Sequence, residues 1–225
     1  MVFYMKQRIH ILIVDDHPMT VRGYQMLLTS LDTHYDLRVD EASDCDEVLE
    51  LMNTHKNNFY DIVFLDIGLP PSKDQAIING EDLGLRIRKR FKETKIVVHT
   101  AINDQSRINT IFSSLHPEGF VIKSDLDANM LEDLIHVVWS GHTYYSKRTN
   151  KLIGQGNQEN IFLDSSDQKI LYLLSKGYRM KDLPIHVPLS MATIERRKKN
   201  LKVLFGIANG STKELLEIAR DKGFI

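Results

Sequence analysis

ILIVDDHP, Ile11–Pro18, sets four apolar residues directly against two adjacent aspartates, a histidine and a proline. Such an apolar run reads as a strand inside a core, and its charged end as the point where that strand reaches the surface. Two readings of the aspartate pair stay open on these residues alone. The pair caps a helix beginning near His17-Pro18, since aspartate favours the N-cap and proline the first turn. Or the two like charges await a cation. His17 reads as a surface or turn residue, because nothing in the sequence places a partner acid beside it.

Outward from this stretch, short apolar runs alternate with longer amphipathic ones. Runs ending at Val14 (IHILIV), near Ala42 (YDLRVDEA), at Leu65 (YDIVFL), at Thr100 (KIVVHT) and at Ile122 (GFVI) read as five strands. Three are nearly continuous apolar, as expected of strands covered on both faces of a parallel sheet. Helix-like segments fall around 18–31, 45–56, 80–92, 104–115 and 127–140, and Leu83, Ile87 and Phe91 recur at intervals of four on one helix face. The alternation predicts a doubly wound α/β domain with a five-stranded parallel sheet. LPPSKDQAIING (Leu69–Gly80) is a long loop with a closing glycine, and GQGNQEN (154–160) reads as a flexible linker.

In such a sheet, ligands bind at the carboxyl ends of the strands. Asp15 and Asp16 end the first, Asp66 ends the third, Thr100 closes the fourth, and Lys123 follows the fifth. With these four strand ends counted together, the cation reading outweighs the capping one. Three carboxylates repel unless a cation offsets them. All are hard oxygen donors, and no Cys/His grouping at metal spacing accompanies them, so the expected ion is Mg²⁺. A phosphoryl group arriving there meets Lys123 and Thr100, and a carboxylate is itself a competent nucleophile, giving an aspartyl phosphate.

Composition narrows the class. Hydrophobic content of 42% and charged content of 26% are ordinary for a soluble globular protein. No run approaches the roughly 20 apolar residues of a membrane span. The start, MVFYMKQR, does not read as a signal peptide. Cys45 is the only cysteine, which rules out an intrachain disulfide and leaves a reducing cytoplasm as the expected location, with no membrane partner. The net charge of −1 hides an asymmetry: from Ser165 onward there are 12 Lys+Arg against 6 Asp+Glu, whereas the preceding residues are net acidic. A basic second domain is a candidate for nucleic acid.

ILIVDDHP, FLDIGLP, HTA and FVIK, in this order and spacing, resemble the receiver domain of two-component response regulators, over roughly residues 8–140. The resemblance implies a flavodoxin-like fold and a phosphoryl group accepted on Asp66 from a histidine kinase or phosphotransfer protein. It further implies Mg²⁺ held by Asp15, Asp16, Asp66 and the Gly68 carbonyl. Thr100 and Lys123 would bind the phosphoryl group, and Phe120 occupies the place of the family's rotating aromatic residue. The loop from Pro71 to Asn79 is longer than the pattern, and Ser124 stands where many receivers have proline.

The C-terminal part carries a second signal. Ser190 reads as an N-cap and Gly206 as a stop, with one helix between them. At 100° per residue, Met191, Ile194, Leu201 and Phe205 share one face; Ala192, Glu195, Arg196, Lys199 and Asn200 lie on the other. A solvated basic face remains an alternative for RRKK alone. A preceding short helical segment (Arg179–Val187) across a tight Pro188–Ser190 turn makes a helix-turn-helix the better reading. The stretch from Leu163 to Phe205 resembles the output domain of NarL/FixJ/LuxR-type regulators. That resemblance implies a smaller, all-α second domain in which Glu195, Arg196 and Lys199 face base edges of double-stranded DNA. Arg197, Lys198 and Lys202 would favour phosphates. Pro184 and Glu195 depart from the pattern.

The expected organisation is thus a receiver over 6–140, a linker over 141–163 and a DNA-binding domain over 164–225. The chain is expected to be a transcription regulator rather than an enzyme, forming a homodimer when phosphorylated. Two alternatives are a C-terminal module that binds protein instead of DNA, and an Asp-nucleophile phosphatase. The latter fits poorly, since D-D-H-P lacks a separate acid two residues after the first.

Overall fold

A computed structural model describes residues 6–31, 35–55, 59–154 and 163–225. It divides into two compact units, one of 1–101 with 114–154 and one of 102–113 with 155–225.

The first unit is a parallel sheet wrapped by helices. Its strands are β1 (Gln7–Val14), β2 (Tyr35–Ala42), β3 (Ile62–Leu65), β4 (Lys95–Thr100), β5 (Gly119–Ile122) and β6 (Tyr144–Tyr145), in spatial order β2-β1-β3-β4-β5-β6. The sheet has six strands where the apolar runs predict five. The extra edge strand is two residues long and joins by backbone pairing of Tyr144 and Tyr145 with Gly119 and Phe120, which leaves no apolar run to read. It lies with helix α6 (Lys147–Gly154) inside the span expected as a linker; the rest of GQGNQEN is outside the described residues.

Helices α1 (Pro18–Ser30), α2 (Cys45–Thr54), α3 (Gly80–Arg90), α4 (Gln105–Leu115) and α5 (Ala128–Trp139) follow the first five strands in turn. Alternate strand residues divide between two buried faces, as the pleat requires. Ile9, Ile11, Ile13, Phe64, Val97 and Val121 pack with Val21 and Tyr24 of α1 and with Leu131, Leu134 and Val138 of α5. Leu12, Val14, Val63 and Leu65 are equally buried on the opposite face. There Gly84 of α3 comes so close to Leu65 and Leu115 that a Cβ would sit 2.9 Å from each. Leu83, Ile87 and Phe91 are buried together, as their spacing predicts.

Register decides what stands at the rim. Val14 pairs with Ala42 on one side and Leu65 on the other, so Asp15 and Asp66 leave the sheet side by side. The Asp66 amide donates to the Val14 carbonyl (3.0 Å) and the Asp15 amide to that of Ala42 (3.1 Å). Thr100 pairs with Ile122, which puts Lys123 one step beyond.

The second unit is helical. Helices α7 (Ser165–Ser175), α8 (Leu183–His186), α9 (Met191–Leu204) and α10 (Thr212–Asp221) enclose Ile170, Leu174, Leu183, Ile194, Leu201, Leu215 and Phe224. The expected segment Arg179–Val187 is a 3-10 turn over Met180–Asp182 running into the four-residue α8. Pro184 sits in the first turn of α8, where its missing N–H goes unneeded, so it starts this helix rather than interrupting it. Residues 102–113, expected within the first domain, group with this unit, where the buried Arg107 guanidinium lies over the Phe224 ring at 4.9 Å.

Candidate functional sites

The strand ends assemble the chemical set that the sequence predicts. Asp15 and Asp66 are 1% and 4% exposed, and Asp16 is open to solvent. Lys123 Nζ lies 2.6 Å from Asp15 Oδ2 and 2.8 Å from Asp66 Oδ2, bridging the two buried carboxylates. Burial works against the Lys123 ammonium, but hydrogen bonds and charge from Asp15 and Asp66 outweigh it and hold its pKa above the ordinary lysine value. Thr100 and Phe120 are fully buried on the neighbouring strands.

The loop after β3 holds Asp66 by its backbone. Gly68 N–H donates to Asp66 Oδ1 at 3.1 Å, and the Gly80 amide donates to the Ile67 carbonyl at 3.1 Å. A Cβ on Gly80 would fall 1.8 Å from the Asp66 carbonyl oxygen, so only glycine permits this approach. The long insertion between them closes on itself through Ser72, Asp74 and Ile77, and Asn79 caps α3 by accepting from the Asp82 amide.

The capping reading of Asp15-Asp16 fails in detail. The N-cap of α1 is His17, with no side-chain cap bond; Asp15 Oδ1 instead accepts the His17 amide at 2.9 Å. This hydrogen bond turns the histidine back toward the acids. One donor atom each from Asp15, Asp16, His17 and Asp66 lie within 4.8 Å of one another, a set able to hold a metal ion. The sequence reading left His17 out because the contact comes from an extended turn and not from residue spacing.

His99 also went unread. It sits under the site, fully buried, with Nε2 3.3 Å from the Val14 carbonyl and Nδ1 3.7 Å from Asp15 Oδ2. Tyr24 meets its ring edge-on at 5.0 Å. Burial drives the imidazole pKa down to about 4, against a smaller upward pull from Asp66 and Asp15. A free histidine protonates near 6.5. Between those values the unfolded chain binds the proton and the folded chain refuses it, so stability falls as pH drops through this window. The loss from this ring approaches roughly 3 kcal/mol below pH 4. Urea midpoints measured from pH 7 to 4.5 should therefore fall steeply in the wild type and less steeply in His99→Gln; parallel curves would refute the assignment.

In the second unit, α9 presents the face that the helical wheel predicts. Ser190 caps it by accepting from the Thr193 amide, and Gly206 follows it with φ +75°. Ile194, Leu201 and Phe205 are buried, whereas Ala192, Glu195, Arg196, Lys199 and Asn200 are exposed. The three cations expected to favour phosphates are engaged within their own module. Arg197 Nη1 donates to Asp164 Oδ2 at 2.8 Å and to Asp167 Oδ1 at 2.9 Å. Lys198 Nζ reaches the Thr212 hydroxyl at 3.3 Å, and Lys202 Nζ donates to the Gly210 carbonyl at 2.6 Å. No helix among the described residues is long and apolar enough to cross a membrane.

Known proteins resemble this chain. The chain is 25% identical to the oxygen regulatory protein NreC of Staphylococcus epidermidis ATCC 12228 over 226 residues, covering 94% of this chain and 97% of that one. It is 26% identical to NreC of Staphylococcus aureus JH9 over 225 residues, with the same coverage. Among solved structures, RcsB of Salmonella enterica serovar Typhimurium, bound to promoter P1flhDC with the phosphomimetic BeF₃⁻, superposes with a TM-score of 0.68 at 20% identity. That match covers 93% of this chain and 97% of RcsB. ChrA, the response regulator of a heme-sensing two-component system, gives a TM-score of 0.52 at 19% identity, covering 98% and 100%. A family model described as "Response regulator receiver domain" matches residues 11–135, more than half of the chain. With its acids and lysine gathered at the carboxyl edge of a 2-1-3-4-5 parallel core, the chain belongs to the response regulator receiver family.

Proposed function

We propose that the chain is a phosphorylation-controlled transcription regulator whose phosphoacceptor is Asp66. The observation that carries this reading is the Lys123 bridge between Asp15 and Asp66. It places a half-buried ammonium on one oxygen of the acceptor, while the Gly68 amide holds the other. An oxygen of Asp66 attacks the phosphorus of a phosphohistidine on a sensor kinase or phosphotransfer protein. The P–N bond breaks, and the imidazole leaves with the electron pair. Lys123 and Thr100 then bind the new phosphoryl oxygens. Asp15, Asp16 and Asp66, with the Gly68 carbonyl, would hold a divalent ion; the donor set fits Mg²⁺, which favours carboxylate and carbonyl oxygens. Such an ion offsets the carboxylates and the charge developing on the phosphoryl group.

Thr100 and Phe120 are the residues expected to move on phosphorylation, shifting a two-state equilibrium that favours a homodimer. The α9 face then meets the major groove of double-stranded DNA, with Arg196 and Lys199 suited to guanine and Glu195 to the cytosine amino group. RcsB has been solved both in a DNA complex and as two dimers on parallel DNAs. The proposed location is the cytoplasm.

The test is phosphorylation with acetyl phosphate and Mg²⁺, followed by selection of bound sequences from a random DNA pool. Hydroxylamine-labile phosphate and DNA binding that tightens with phosphorylation and weakens with salt are expected. Phosphorylation without any DNA selection would leave a receiver joined to a protein-binding module. Steady turnover of phosphoesters would mark a phosphatase instead.

A further inference from the structure

His17 is the one member of the acidic cluster with no place in the mechanism above. Its side chain is 70% exposed, so it contributes little packing, yet one ring nitrogen faces the acids. Nδ1 lies 2.7 Å from Asp16 Oδ1 and 3.3 Å from Asp15 Oδ1. The backbone enforces this: the His17 amide is tied to Asp15 Oδ1, and Pro18 follows immediately in the first turn of α1. Six-coordinate ions of this size bind at about 2.1 Å, which sets neighbouring donor atoms about 3 Å apart. The two observed separations bracket that value, and the Asp66 donor lies within the same 4.8 Å cluster.

We propose that His17 Nδ1 is a further ligand of the acidic site, one that tunes it toward divalent transition ions, Mn²⁺ to Zn²⁺, over Mg²⁺. The inference rests on the metal reading of Asp15, Asp16 and Asp66. Carboxylates and carbonyls alone suit Mg²⁺, whereas an imidazole among them favours ions later in the Irving–Williams order. For ligation the neutral ring carries its proton on Nε2, and Nδ1 exchanges its contact with Asp16 for one to the metal. In the absence of metal, that same contact is a close pairing of the ring nitrogen with the Asp16 carboxylate. The two states therefore differ in whether nitrogen touches the ion.

The experiment uses the full-length chain and the metals alone. Mn²⁺ bound to the wild-type protein should show directly coordinated ¹⁴N in pulsed electron paramagnetic resonance, and His17→Asn should lose that signal. By calorimetry, His17→Asn should weaken Co²⁺ binding at least about tenfold while changing Mg²⁺ binding less than about twofold. Absence of nitrogen coupling in the wild type, its persistence in His17→Asn, or an unchanged Co²⁺/Mg²⁺ ratio would each overturn the proposal. Asp16→Asn separates the two layers of the argument. If Mg²⁺ binds the wild type and is lost in Asp16→Asn, the acidic site stands whatever His17 does. If Mg²⁺ binding is absent or indifferent to Asp16, the metal reading fails, and His17 with it.

Discussion

Asp66→Asn should abolish acyl-phosphate formation from acetyl phosphate and Mg²⁺, leaving a folded protein with no hydroxylamine-labile phosphate. The amide keeps the shape of the carboxylate but not its nucleophilic charge, and no other carboxylate stands in the same place. Asp15 is tied to the His17 amide and to Lys123, while Asp16 lies beside His17 and has no contact with Lys123. Folding should survive because Lys123 keeps its 2.6 Å pairing with Asp15, and removing one of three clustered carboxylates relieves repulsion. An unfolding free energy from urea titration within about 1 kcal/mol of the wild type is expected, so lost phosphorylation is not lost structure. Undiminished labile phosphate on the mutant would place the acceptor elsewhere.

Arg196→Ala with Lys199→Ala should weaken binding to a selected DNA by a factor of roughly 100 or more, taking a base contact as about 1–3 kcal/mol. Both side chains are exposed on α9, opposite Ile194 and Leu201, so the double variant should melt as the wild type does. Fluorescence anisotropy at two salt concentrations gives the affinity and its electrostatic part. Arg197, although central in the RRKK run, is the wrong residue to change for this purpose, because its guanidinium is joined to Asp164 and Asp167. Unchanged affinity in the double variant would remove α9 from the DNA interface.

How far the sequence could be read follows from where each signal resides. β1, β3 and β4 carry the apolar runs 11–14, 62–65 and 96–98, buried on both faces, and such runs announce themselves. Asp15 and Asp66 were legible because each directly follows a strand, and parallel register aligns strand ends. β6 was hidden, being two half-buried tyrosines held by main-chain bonds. His99 was hidden as well: in KIVVHT it resembles any polar residue near a strand end, and only its approach to the Val14 carbonyl and to the Tyr24 ring of α1 reveals its place. Basic residues of α9 look alike in sequence. Which of them is free and which is bonded depends on Asp164, Thr212 and Gly210, residues remote along the chain.

Asp164 has two duties at once: it caps α7 by accepting from the Asp167 amide, and it receives Arg197 from α9. This double use of Asp164 decides where the C-terminal module can be cut free. A fragment beginning at Ser165 would lose the cap of its first helix together with one of the two anchors of Arg197 on α9. One beginning at or before Leu163, itself part of the apolar core, keeps both. The shorter fragment should melt several degrees lower, about 1 kcal/mol for the cap alone. Its poor behaviour in a binding assay would then report a missing aspartate, not a module unable to recognise DNA.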